Sequence, residues 1–145
     1  MDGSLDRFLD AQAHSYEAAL AEIRRGRKMS HWMWYVFPQL EGLGRSSTAA
    51  YYGIRGMDEA EAYMRHPVLR MRLLDISSAL AGLGGSDPAA VFGPVDAMKL
   101  RSCMTLFALA APDEPVFRKV LDRYFGGEPD GRTLEILGAE WKRLS

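Results

Sequence analysis

The chain has 145 residues, 48% apolar and 26% charged, with a formal net charge of −1. That suffices for one domain, residues 1–145, with a real core, and it excludes a global field drawing the protein to nucleic acid or membrane. One cysteine, Cys103, excludes an intrachain disulfide and fits a reducing cytoplasm.

The N-terminus carries Asp2, Asp6 and Asp10 and no basic-then-apolar run, so no signal peptide is expected. No apolar stretch nears the roughly 20 residues of a membrane span. Ser4 reads as an N-cap. Behind it Leu5, Phe8, Leu9, Tyr16, Ala19, Leu20 and Ile23 recur at helical spacing, and Gly26 stands where a left-handed C-cap belongs. Gln12 falls inside that apolar arc and needs a hydrogen-bond partner there. His14 falls on the opposite, solvated face.

Residues 27–46 hold two of the three tryptophans beside a histidine and a basic edge. Ser30 is placed to cap a short helix over residues 31–37, which Pro38 stops. A short hairpin near residues 35–37 is the β alternative. The loop at 42–46, G-L-G-R-S, then feeds a helix through Tyr51, Tyr52 and Ile54. Residues 58–64 read as another helix, closed by His66-Pro67. Leu69, Leu73, Ile76, Leu80 and Leu83 form the next stripe. Ser86 reads as the cap of a short helix to Phe92, followed by a long one over 94–110. That long helix is apolar on several sides and so belongs in the interior, yet it carries Lys99, Arg101, Ser102 and Thr105. Pro115 opens a helix closed by Gly126-Gly127, and residues 133–144 form the last, with Trp141. Alternating strand patterns are absent. The expected fold class is all-α: a single compact multi-helix domain of about seven or eight helices around the 94–110 helix.

Three scattered histidines make no metal motif, and no phosphate-loop, dinucleotide or nucleophile-elbow pattern is present, so no metal and no cofactor are expected. Cys103 lies in the predicted core helix and reads as an inert small hydrophobe. The polar groups that remain can converge. His31 exchanges a proton near neutral pH, and Trp34 offers a flat wall. Gln39 follows. The glycine loop carries Arg45 and Ser46, which suit an anion. Lys99 and Arg101 on an enclosed helix need partners, whether Asp75, Asp96 or a shared polar cavity. The run Arg24-Arg25-Gly26-Arg27-Lys28 is either a phosphate-contacting patch or a helix end.

The motifs S-H-W-M-W-Y-V-F-P-Q-L at 30–40, G-L-G-R-S at 42–46 and M-K-L-R-S-C-M-T-L-F at 98–107 are similar to those of domain of unknown function 1810. The resemblance runs over nearly the whole chain and implies a compact all-α domain without an established activity. Some members carry a calpastatin label, which this sequence does not support: an inhibitor acting as an extended chain needs no such core. Cys103 departs from the serine expected there, which weakens any paired role with Ser102.

Two readings follow. In the first, His31, Trp34, Gln39, Arg45, Ser46, Lys99 and Arg101, with Ser30 and Ser102 beside them, line one pocket for a small anionic or nucleotide-like molecule. In the second, the same pocket is an active site, with His31 as general acid/base and Lys99 or Arg101 stabilising negative charge. A partner-recognition domain with exposed aromatics is a third. The two pocket readings predict that the 30–31 and 99–101 segments meet; the partner-recognition reading needs a large exposed apolar patch. Trp32 and Trp34, roughly 160° apart on a helix, are expected to divide between core and pocket.

Overall fold

A computed structural model describes residues 3–143. Eight helices run among them: α1 (Gly3–Arg24), α2 (Met33–Val36), α3 (Ser47–Tyr52), α4 (Met57–Arg65), α5 (Pro67–Ala81), α6 (Pro88–Ala110), α7 (Val116–Phe125) and α8 (Gly131–Leu137). The described residues include no strand, only an isolated parallel bridge between Leu40 and Ile54. The hairpin alternative at 35–37 is therefore overturned, since those residues close α2.

Helix α1 buries Leu5, Phe8, Tyr16, Ala19 and Ile23 on one face, and Gly26 at φ 83° ends it. Gln12 lies on that face, 2% exposed. Its Nε2 donates to the Tyr35 carbonyl at 2.7 Å and to Tyr63 Oη at 3.0 Å, which pins α1 to α2 and α4. The helix already includes Ser4, so the cap expected there sits inside it; the Ser4 side chain lies outside the described residues. His14 is exposed, as expected.

Helix α6 is the centre. Every residue from 102 to 108 is buried, and α4, α7 and α8 pack around it. All-round apolarity places a helix in the interior. Gly93, at φ 79° and ψ 161°, breaks it into the two pieces that the sequence separates there. The cap in front is Asp87, not Ser86: its carboxylate accepts the Ala89 N–H at 3.0 Å. Cys103 is fully buried, and burial pushes its thiol well up, away from thiolate chemistry.

Three local expectations are corrected. Ser30 does not cap α2, because its hydroxyl is taken by Glu22; α2 starts at Met33. Ile54 leaves α3, its N–H donating to the Gln39 carbonyl at 2.9 Å. Helix α8 ends at Leu137, so Trp141 stands outside it, stacked on Arg118 at 3.9 Å; Leu144 lies outside the described residues.

Candidate functional site

The site grows from a buried carboxylate that the pattern of apolar residues conceals. Glu22, near the end of α1, is 4% exposed. Its Oε1 accepts the N–H of Met29 (2.7 Å), the N–H of Ser30 (3.0 Å) and the indole N–H of Trp32 (2.8 Å). Its Oε2 accepts the Ser30 hydroxyl at 2.6 Å. Burial works to raise this carboxyl, but the four hydrogen bonds outweigh it and hold the pKa down at about 2, from an ordinary 4.5. The turn at 29–32 is thereby fastened to α1. Trp32 goes into the core at 1% exposure, against Phe37 and Phe92.

On either side of that turn stand Lys28 and Trp34. The Lys28 N–H donates to the Val91 carbonyl at 2.8 Å, which lays the turn along α6. Its ammonium pairs with Asp96 Oδ2 at 3.0 Å, and the Lys99 ammonium pairs with Oδ1 of the same carboxylate at 3.0 Å. Burial would raise the Asp96 carboxyl; the hydrogen bonds and charges of the two lysines outweigh it and hold it below its usual value. One carboxylate thus serves two cations, which leaves the cluster one positive charge in surplus. The Lys99 ammonium also lies 3.9 Å from the centre of the half-buried Trp34 ring.

The glycine loop comes up against the same ring. A Cβ on Gly44 would stand 3.5 Å from Trp34 Cη2 and only 2.6 Å from the Ala49 Cβ. Ala49 sits in α3 and cannot swing aside, so Gly44→Ala is expected to displace the loop and cost about 1–3 kcal/mol. Thermal denaturation tests this; an unchanged midpoint would show that the loop yields freely. Ser46 caps α3, its Oγ accepting the Ala49 N–H at 3.0 Å, and Arg45 is exposed beside it.

The sequence-predicted residues thus divide. The neighbouring residues lie together, Lys28 on Asp96 and Lys99 on Trp34, whereas the Ser30 hydroxyl is on Glu22 and the His31 carbonyl on Tyr35. Arg101 does not join them. Two positions on from Lys99, it points roughly 200° around the helix. Its Nε donates to the Glu128 carbonyl at 3.1 Å, and its guanidinium lies over Phe125 at 5.5 Å. Ser102 is buried and donates to the Met98 carbonyl at 3.2 Å, within its own helix. Gln39 is buried, with its backbone carbonyl bound to Ile54. The His31 side chain is exposed, and its carbonyl accepts a long bond from Tyr35 Oη at 3.4 Å. Surface clefts of about 200–530 Å³ follow α5 and α7 and the turns around them. His31, Trp34, Lys99 and Arg101 line none of these five clefts; Lys28, Asp96 and Lys99 make a partly open face, their side chains 10–20% exposed.

Sequence reasoning passed over Glu22. A signal was available, since residue 22 falls within about 40° of Phe8 on the helical wheel, well inside the apolar arc. It also passed over Arg7, 5% exposed, which donates to the carbonyls of Tyr51 (2.7 Å) and Gly53 (2.9 Å) and pairs with Glu59. No group of three His, Cys, Asp or Glu among the described residues is arranged to hold a metal ion. No helix among them is long and apolar enough to cross a membrane.

Among curated proteins none matches the chain. Among solved structures, the crystal structure of the conserved hypothetical protein Rv1873 from Mycobacterium tuberculosis, at 1.38 Å, is similar to it. The two share 43% identity and a TM-score of 0.93 over 97% of this chain and 100% of that one. The family model described as "Protein of unknown function (DUF1810)" matches residues 2–137, and the chain belongs to that family.

Proposed function

We propose that this chain is a single-domain binding module that holds a small anionic or nucleotide-like molecule at the Lys28–Asp96–Lys99 face, with Trp34, Arg45 and Ser46 bordering it and Ser30 holding the adjoining turn. The observation that carries the reading is the pair of ammonium groups, each 3.0 Å from one shared carboxylate. An incoming anion can take up the charge that Asp96 leaves uncompensated, with both donors already in place. One hydrophobic core unites the helices and supports reading residues 1–145 as one unit. The lone, buried cysteine suits a reducing compartment such as the cytoplasm.

The enzyme reading, with His31 as general acid/base, has less support. The His31 side chain is exposed, Lys99 is engaged with Asp96 and Trp34, and Arg101 is engaged with Glu128 on another face. Titration calorimetry with inorganic phosphate and ADP tests the binding reading. Lys99→Met is expected to weaken the bound anion by about tenfold or more, the usual scale for a lost charge-assisted hydrogen bond. Arg101→Met should leave affinity unchanged. Equal affinities for wild type and Lys99→Met would sink the proposal.

A further inference from the structure

The anion site accounts for the two lysines and leaves the apolar groups around them unexplained. Val95 and Met98, one turn apart on α6, flank Asp96 and Lys99 and are 68% and 69% exposed. Met29, next to Lys28, is 68% exposed. The backbone bond from Lys28 to Val91 and the ion pair to Asp96 lay this turn along the same helix. Val95 and Met98, adjacent on one helix and exposed beside paired cations, offer apolar surface that a partner can cover. The turn that leads into Lys28 adds three exposed cations, Arg24, Arg25 and Arg27. Of the two acids bonded to this turn, Asp96 is already shared by two lysines and Glu22 is buried under four donors.

We infer that this face docks an acidic segment of a partner protein, its carboxylates meeting Lys28 and Lys99 and its apolar side chains covering Val95 and Met98. The inference rests on the anion-site reading and names what carries the anion. Charge complementarity selects this occupant, because a surplus of cations around an apolar centre favours an acidic segment over a neutral or basic one. Methionine adapts its shape to different apolar partners. The Glu22 clamp holds the turn, so the cations are presented without further ordering.

The full chain is titrated with a labelled peptide of glutamates bearing two leucines one helical turn apart. An all-glutamate peptide and a lysine-for-glutamate counterpart serve as comparisons. The leucine-bearing acidic peptide is expected to bind about tenfold or more tightly than the all-glutamate one, as apolar anchors in an interface do, and the basic peptide not at all. Val95→Ser with Met98→Gln should lose that advantage while inorganic phosphate binds as before; both positions are exposed, so folding is retained. Lys99→Met should weaken both. If the double variant binds the acidic peptide as well as wild type does, the inference is overturned and the anion site stands. If Lys99→Met leaves peptide and phosphate binding alike untouched, the anion-site reading falls with it. Co-sedimentation with phosphatidylserine vesicles without peptide binding, or self-association abolished by the double variant, would assign the face to a membrane or a second copy and overturn the proposal.

Discussion

Trp32→Ala is expected to destabilise the protein by about 3–5 kcal/mol, the range for deleting a large buried ring, whereas Trp34→Ala should cost roughly 1 kcal/mol or less, as at a half-buried surface position. Trp32 is 1% exposed, packs on Phe37 and Phe92, and donates its indole N–H to Glu22. Its removal leaves a cavity and also takes one of the four donors from a buried carboxylate. Trp34 is half-buried, with Lys99 over its ring and Gly44 beside it. Its loss exposes Lys99 to water, which an ammonium tolerates well. Trp32→Phe separates the two parts of the larger effect. It keeps most of the ring and loses the donor, so it should cost about 1–2 kcal/mol. Urea denaturation of the three variants measures all of this, and similar losses for both alanine variants would contradict the division of roles.

The same geometry shows why the fold was legible and the site only in part. Helical spacing and caps report which face of a segment is buried, and they suffice for α1, α5 and α6. They also lead to the division of Trp32 from Trp34, though for a different reason than the expected separation of roughly 160° on one helix: Trp32 precedes α2, and its bond to Glu22 draws it into the core. The helical separation does apply to Lys99 and Arg101, which therefore cannot share one wall; Arg101 reaches the Glu128 carbonyl instead. What periodicity does not report is which distant group will satisfy a polar one. Ser30 has the composition of a cap and the position of one, yet the Glu22 carboxylate outcompetes a helix N-terminus for its hydroxyl. The Leu40–Ile54 bridge is likewise a pairing across a loop, and it takes Ile54 out of the helix its neighbours begin. Gln12 was legible because a lone amide among apolar residues must find partners. Glu22 obeys the same requirement, but it sits beside Arg24 and Arg25, where an acid also reads as part of an exposed, charged helix end.

Glu22→Gln is expected to cost about 3 kcal/mol near neutral pH, and the cost should vanish in acid. A carboxyl held at about 2 in the folded chain and at 4.5 when unconstrained stabilises the fold by roughly 1.4 kcal/mol for each unit of difference, about 3 kcal/mol in all. The folded pKa is depressed, so this contribution is fully present above 4.5. It is lost as the pH falls from 4.5 through about 2, below which the carboxyl is protonated in both states. Glutamine keeps one acceptor oxygen for Met29, Ser30 and Trp32, but it turns an N–H towards the Ser30 hydroxyl, which then loses its acceptor. The charge that strengthens all four bonds is gone. Urea denaturation of wild type and variant at a series of pH values should give curves that lie apart at pH 7, draw together below pH 4.5 and converge as the pH reaches about 2. A separation that persists unchanged to pH 2 would mean that packing, and not the ionised carboxylate, holds the turn. Because Lys28 and Trp34 stand on either side of that turn, the variant should also weaken the binding of phosphate at pH 7. It should do so without touching either lysine, by loosening the backbone that brings Lys28 to Asp96.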